Sequence, residues 1–237
     1  MIWYFICDGD VQYKQHDDGR IAPLTADKDD KVNKIIELHK EHPELNLVIH
    51  AGDLLDKGND TKSFEKFKSE YVHTIEKDDL KLLMCAGNHD TYVSFPYLCK
   101  PVFKYLKKKY DTTFAPFCWK YSGCYKRIHN GINFISMGVY PKNLRWLKNN
   151  LPSKEEPVII FYHYNTADNP FSDWWSASEK EKFYDVIKDH NILMLHNGHW
   201  HHSGITEWKE IKEVHGSGGT VALIKMEGTK ISEITFH

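Results

Sequence analysis

The sequence contains no apolar run approaching the roughly 18 consecutive residues that a transmembrane helix requires, so none of its 237 residues is expected to span a bilayer. Met1 leads straight into Ile2–Cys7 without a basic region or cleavage site, so this segment reads as a core strand and the expected location is cytoplasmic. Cys-x-x-Cys spacing is also missing. The five cysteines, Cys7, Cys85, Cys99, Cys118 and Cys124, are odd in number and scattered, which argues for reduced thiols and against a zinc ribbon or disulfide framework. Nor is there charge of one sign: 31 basic and 33 acidic residues leave a formal charge of −2, too little to draw in nucleic acid or an anionic membrane. Any attraction for phosphate must therefore be local. Repeats, low-complexity runs and linkers are absent, and 41% hydrophobic with 14% aromatic residues suffices for one substantial core, so residues 1–237 are expected to form a single α/β domain.

Short apolar runs rich in β-branched and aromatic residues read as strands: Ile2–Cys7, Leu45–His50, Leu80–Ala86, Ile132–Val139, Pro157–Tyr162 and Asn191–Leu195, with a closing hairpin of Thr220–Met226 and Lys230–Phe236. Between them, apolar residues three and four apart predict helices over Lys28–His42, Thr61–Lys77, Pro96–Lys109 and Asn143–Leu151. A Ser-x-x-Glu box at Ser178–Glu181 opens another helix running to about His190. Residues 91–130 are the least regular part, and the lysines 107–109 read as a solvated helix end.

Most of these strands end in residues capable of chemistry. Leu45–His50 leads into Gly52-Asp53-Leu54-Leu55-Asp56-Lys57-Gly58, whose glycine-flanked carboxylates suit a cation better than a core; Asp53 is the natural central ligand. Ile2–Cys7 leads into Asp8, Asp10 and Gln12, which extended chain would turn to one side, although an acidic turn explains that segment equally well. Leu80–Ala86 ends in Gly87-Asn88-His89-Asp90, where Asn88 can add an amide oxygen and His89 is free for proton transfer. His163 closes the next strand, and His199 and His201, two apart, share a face of extended chain. His50 reads as a satisfied core histidine; His196 and His202 read as solvated or core histidines, with support of the ligands as the alternative. Strands that run alike bring these ends to one edge. The mixed oxygen and imidazole set favours Mn, Fe, Zn or a similar ion, and it holds too many candidates for a single one.

In these motifs the sequence resembles the calcineurin-like metallophosphoesterases. Gly52–Gly58, Gly87–Asp90, His163 and Gly198–His201 stand in the family's order. The resemblance implies a four-layer sandwich of two mixed β-sheets flanked by helices, each half of the chain supplying roughly one sheet. It also implies two metal ions (Mn, Fe, Zn or Ni). One would be held by the first-motif aspartate, Asp53 and His201, and the other by Asp53, Asn88, His163 and His199. His89 would protonate the leaving oxygen or hold the phosphate, with Asp56 orienting its ring, while a hydroxide bridging the metals attacks. The first motif departs from the family's Asp-x-His: Asp10 with Gln12 is the preferred alignment and Asp8 the alternative ligand. The implied function is hydrolysis of phosphate monoesters or diesters of small molecules; a non-catalytic metal-binding scaffold and a nuclease are the alternatives, the last disfavoured by the missing basic patch. In the stretch 169–176, Trp174 or Trp175 could stack on a flat leaving group, or both could pack on the following helix.

Overall fold

Uninterrupted apolar runs need cover on both faces, and here they receive it. A computed structural model, which describes residues 1–25, 30–91, 100–111, 123–167 and 172–237, places two mixed sheets face to face with helices outside, a four-layer α/β sandwich. From the start, β1 (Ile2–Asp8) leads through the small pair β2 (Lys14–Gln15) and β3 (Ile21–Ala22) to α1 (Lys31–Glu41) and β4 (Leu45–His50). Next come α2 (Thr61–Phe67), a π-helical turn (Lys68–Val72), α3 (His73–Lys77), β5 (Lys81–Met84), α4 (Asn88–Thr91) and α5 (Lys100–Tyr110). The chain continues through β6 (Cys124–His129), β7 (Ile132–Met137), α6 (Leu144–Asn150), β8 (Val158–Phe161), a 3-10 turn (Ser172–Trp174) and α7 (Ala177–Ile187). It ends with β9 (Ile192–Asn197), β10 (Gly204–Trp208), β11 (Ile211–His215), β12 (Ala222–Glu227) and β13 (Lys230–Phe236).

The first sheet has the order β13-β12-β1-β4-β5 and the second β10-β11-β9-β8-β7-β6. The parallel strands β1, β4 and β5, and likewise β7, β8 and β9, bring their C-terminal ends to one side. The expectation of one sheet per half-chain fails at the C-terminus. There β12 crosses back and pairs antiparallel with β1, from Ile2↔Glu227 to Cys7↔Ala222. Without it, β1 would be left with an open edge beside β4.

Alternation along β1 divides its side chains between two layers. Phe5 meets Phe134 of the opposing sheet edge-on at 5.7 Å, whereas Tyr4 lies against His42 behind α1 at 4.5 Å. Asp8 shares the parity of Tyr4, so it faces the helices and not the opposing sheet. The stripe Phe64, Phe67, Tyr71 and Ile75 is buried over the same sheet as expected, but its helix widens into the π turn at Lys68–Val72.

Several boundaries differ from the sequence expectation. The capping box is Ser176 with Glu179, two residues earlier than Ser178–Glu181, and α7 ends at Ile187. Cys124–His129, inside the stretch read as irregular, is strand β6, and the hairpin β10–β11 was not anticipated. The first residues of the helices expected from Lys28 and Pro96, together with Cys99 and Cys118, lie outside the described residues; Cys7, Cys85 and Cys124 are free thiols. No helix among the described residues is long and apolar enough to cross a membrane.

Candidate metal centre

The loops after β1, β4, β5, β8 and β9 converge, and they do so in a backbone conformation that the sequence pattern did not suggest. Asp10, Gln12, Asp53, His199 and His201 all have positive φ, at 59°, 48°, 56°, 67° and 55°. The alignment by extended-chain alternation expected for Asp8, Asp10 and Gln12, and for His199 and His201, is therefore not what assembles them. A left-handed non-glycine residue costs about 1–3 kcal/mol and persists where its surroundings impose it, typically at functional sites. Here each one turns the chain sharply behind a strand end. Two glycines make room for the carboxylates: a Cβ at Gly87 would collide with Asp53 Oδ1, and one at Gly198 would lie 2.5 Å from Asp10 Oδ2.

Asp53 is completely buried at the centre. Its Oδ1 accepts from the His89 backbone N–H at 2.8 Å, and its Oδ2 accepts from Gln12 Nε2 at 3.2 Å and lies 3.3 Å from His163 Nε2. Gln12 thus reaches the site with its amide nitrogen on Asp53. Burial alone would raise the Asp53 pKa, but the facing His163 and His89 outweigh it and hold the carboxyl well below the usual range.

His163 meets acceptors on both sides of its ring. Nδ1 donates to the Ala51 carbonyl at 2.9 Å, while Nε2 faces Asn88 Oδ1 at 2.7 Å in addition to Asp53. A second ring proton, on Nε2, satisfies both of those contacts. Burial opposes that proton, but Asp53 and then Asp10 push the His163 pKa up to about 9. Two acceptors aimed at Nε2, Asn88 Oδ1 and Asp53 Oδ2, would form with its lone pair a donor set for a cation.

Asp10 shows the same deficit. Its Oδ2 accepts from the His199 N–H at 2.8 Å and from Ser217 Oγ. Its buried Oδ1 has no hydrogen-bond partner among the described residues, and lies 3.7 Å from His201 Nε2 and 3.8 Å from His163 Nδ1. Ligand atoms of Asp10, Asp53 and His201 all fall within 4.8 Å of one another, a fit for a metal ion. His199 packs its ring against His163 at 5.0 Å and Tyr164 at 4.8 Å; burial, followed by the His163 charge, lowers its pKa to about 3 and keeps it in the neutral, ligating form.

Asp8, the alternative first-motif ligand, is taken up elsewhere. Lys31, itself 1% exposed, puts Nζ 2.5 Å from both Asp8 Oδ1 and the Gly9 carbonyl, and Tyr71 from the π turn donates to Oδ2. His50 is buried in the same pocket, 3.9 Å from Asp8 Oδ2. Contrary to the expectation of a satisfied core histidine, neither of its ring nitrogens has a hydrogen-bond partner among the described residues.

His89 stands at the half-open side. Its Nδ1 donates to the Asp56 backbone carbonyl at 2.9 Å and lies 3.5 Å from Asp56 Oδ1, so Asp56 orients the ring chiefly through its main chain. Burial opposes the imidazolium, but Asp56 and Asp53 outweigh it and raise the His89 pKa to about 9.

Sequence reasoning missed two supports, Asp90 and Glu213, and left the role of a third, His196, open. Asp90 accepts from Leu54 N, Leu55 N and Gly87 N at 3.1, 3.0 and 2.8 Å, clamping the two central loops together. Buried Glu213 of β11 accepts from Thr166 N and Ala167 N at 2.7 and 2.8 Å, and from Asn197 Nδ2. His196 sets its ring nitrogens 2.9 Å from the Val214 carbonyl and 3.0 Å from the Asp8 carbonyl, tying β9 to β11 of its own sheet and to β1 of the other. The final Asp of Gly-Asn-His-Asp was the only available signal, since the partners of the others lie far off in sequence. The two tryptophans part company: Trp175 is 3% exposed and bonds the Asn165 carbonyl, whereas Trp174 is 49% exposed with its ring 5.1 Å from His199. Residues 168–171 beside them lie outside the described residues.

A profile of the calcineurin-like phosphoesterase family matches residues 5–203. No curated protein matches the sequence significantly. Among solved structures, a dimetal phosphatase from Danio rerio is similar at TM-score 0.64 and 14% identity, covering 99% of this chain and 98% of that one. GAP50, the anchor in the inner membrane complex of Plasmodium, is similar at TM-score 0.66 and 14% identity, covering 99% and 84%. A purple acid phosphatase from yellow lupin (Lupinus luteus) seeds is similar at TM-score 0.64 and 12% identity, and this chain spans 53% of it. At these identities the likeness is one of fold.

Proposed function

The chain belongs to the calcineurin-like phosphoesterase family, and on that premise we propose that it hydrolyses phosphate monoesters or diesters with two metal ions held by Asp10, Asp53, Asn88, His163, His199 and His201. The observation that carries this reading is the convergence of Asp10, Asp53 and His201 on one point, with Asp10 Oδ1 left bare. When bound, such ions would supply the nucleophile by lowering the pKa of a coordinated water, and would offset charge growing on the phosphoryl oxygens.

The chain supplies the remainder. Asp53 lies between the Asp10–His201 and Asn88–His163 groups and serves both. Gln12 Nε2 and the His89 N–H fix its carboxylate at 3.2 and 2.8 Å. The Ala51 carbonyl holds the His163 Nδ1 proton, so that with a cation in place Nε2 presents its lone pair to the site. His89 is a cation near neutral pH and is positioned to give its Nε2 proton to the leaving oxygen as the P–O bond breaks.

Hydrolysis of p-nitrophenyl phosphate and bis-p-nitrophenyl phosphate after metal stripping and addition of Mn, Ni, Zn or Fe tests the reading. Turnover restored by metal and lost in His89→Ala is expected, and the preferred ester separates phosphatase from phosphodiesterase. The fold likeness to an anchor protein favours a second reading, a metal-binding scaffold. The His89–Asp56 pair opposes it, because a scaffold has no use for a positioned acid. Two bound ions without turnover of either ester would decide for the scaffold, and failure to bind metal would overturn both readings.

A further inference from the structure

The hairpin β10–β11 carries polar side chains into the interior, where a strand pair ordinarily buries apolar ones. Glu213 and His215, on one face of β11, are completely buried, and Thr206 lies directly opposite Glu213 on β10. These positions fall beyond residue 203, past the stretch that the family profile matches. In the parallel pairing with β9, His215 stands beside Asn197, the last residue of that strand. Asn197 and Asn165 are fully buried too. Asn165 follows His163 by two residues, and Asn197 precedes His199 by two.

The hydrogen bonds among these side chains close a ring with one direction. Asn165 Nδ2 donates to Asn197 Oδ1 at 2.8 Å, and lies 3.0 Å from the Gly198 carbonyl and 3.1 Å from His215 Nδ1. An amide nitrogen can only donate, so His215 Nδ1 offers its lone pair and Nε2 carries the proton. That proton goes to Thr206 Oγ1 at 2.8 Å, and the hydroxyl donates in turn to Glu213 Oε2 at 3.2 Å. On the other arm, Asn197 Nδ2 donates to Glu213 Oε1. Both arms end on the Glu213 carboxylate, which also accepts from Thr166 N and Ala167 N at 2.7 and 2.8 Å. Burial raises the Glu213 pKa, opposed by those donors. The ring thus grips both loops that carry candidate imidazole ligands, 163–167 and 197–199, and it does so behind His163 and His199, whose ring centroids are 5.0 Å apart.

We propose that Glu213 is a positioning residue for the metal centre: through this ring it sets the His163 and His199 loops against each other, and so governs the affinity for the ion those histidines would share with Asp53 and Asn88. The inference rests on the two-ion reading and adds to it a residue that touches no metal. Groups that orient metal ligands from behind govern affinity in this way because a misplaced imidazole gives up part of its bond to the ion.

Calorimetric titration of the metal-stripped protein with Mn tests the proposal without any turnover. Asn88→Ala identifies which binding step belongs to the ion shared by His163 and His199. Glu213→Gln, whose amide turns a donor toward the ring, is expected to weaken that step by about 10- to 100-fold. The step that uses Asp10 and His201 is expected to weaken less, since only one of its ligands lies on a loop the ring grips. Thr206→Val removes one hydroxyl of the ring at a half-buried position and is expected to weaken the same step by a smaller factor, so the outcome does not hang on the folding of Glu213→Gln. Ile135→Ala, a core truncation in β7 outside the ring, is expected to lower the melting temperature and leave both steps in place. Wild-type affinities in Glu213→Gln and Thr206→Val would overturn the proposal and leave the hydrolase reading to the ester assays. Equal weakening in Ile135→Ala would also overturn it, because lost stability alone would then account for the effect. Selective weakening in a protein that turns over neither ester would keep the positioning role and remove the hydrolase.

Discussion

Behind β1 and beyond its end, the molecule buries two aspartates in opposite ways. Asp8, facing the helices, receives Lys31, the Tyr71 hydroxyl and the Gly9 N–H, and the Lys31 charge outweighs burial to hold its carboxyl below the usual range. Asp10, two residues on and equally buried, is left with an oxygen that nothing among the described residues satisfies. The same residue type at the same depth is therefore structural in one place and a candidate ligand in the other. What separates them is whether the chain itself supplies the cation.

That contrast can be broken most severely from the structural side. Lys31→Met leaves Asp8 as an unpaired buried charge, and denaturant titration is expected to show a loss of about 3–5 kcal/mol of unfolding free energy. Adding Asp8→Asn to that variant should recover more than half of the loss; a cost below about 1 kcal/mol in the single variant would mean that the pair is not holding β1 to α1. The functional side should respond to metal instead. With metal at 100 times its Kd the wild type should gain about 2.7 kcal/mol per site. Asp10→Asn is expected to lose most of that gain while leaving the metal-free stability nearly unchanged, whereas Asp8→Asn should keep the gain and lose stability. Melting curves of both variants, with and without metal, provide the check.

The contrast also marks how far the sequence could be read. Asp53, Asn88, His163 and His199 each follow a hydrophobic run, and each lies just past or at the start of an element next to a buried strand, as the runs implied. The carboxylate that the chain neutralises was not identifiable, because Lys31 and Tyr71 lie 23 and 63 residues from Asp8 and meet it only through packing. The left-handed turns at Asp10, Gln12, Asp53, His199 and His201 were equally hidden, since local preference opposes them and tertiary surroundings impose them. The hairpin β10–β11 escaped for a related reason. Its two-residue turn uses Lys209 and Glu210 at φ 50° and 66°, a conformation usually announced by Asn-Gly.

Histidines sharpen the comparison at a smaller scale. His163 faces acceptors on both sides, whereas His129, on β6, has one of each kind: Nε2 donates to Asn46 Oδ1 at 2.7 Å and Nδ1 accepts from Lys81 Nζ at 3.3 Å. Burial, followed by the Lys81 charge, lowers the His129 pKa to about 4, so the folded protein keeps it neutral. The unfolded chain takes up that proton near pH 6.5. The His129 contribution is accordingly present above pH 6.5 and lost as pH falls toward 4. The stability difference between wild type and His129→Gln should shrink across that window by on the order of 2 kcal/mol, read from denaturant titrations at pH 7, 5.5 and 4. A difference constant with pH would mean that His129 titrates alike in both states.

The smallest effect applies the same rule to two serines. Ser176-x-x-Glu179 and Ser178-x-x-Glu181 satisfy one capping pattern in two overlapping registers, and only partners can choose between them. Ser176 is chosen. Its Oγ accepts from Glu179 N at 3.2 Å, and the Glu179 carboxylate returns to Ser176 N at 2.9 Å. Trp175 immediately before it is anchored by its indole N–H on the Asn165 carbonyl, which leaves the helix no freedom to begin two residues later. Ser176→Ala is therefore expected to cost about 1 kcal/mol and Ser178→Ala, an exposed position in the first turn, only a few tenths, about the helix-propensity difference and in the opposite sense. Equal losses in thermal melts of the two variants would mean that the start of the helix is shared between the registers, and that buried packing at Trp175 does not select the cap.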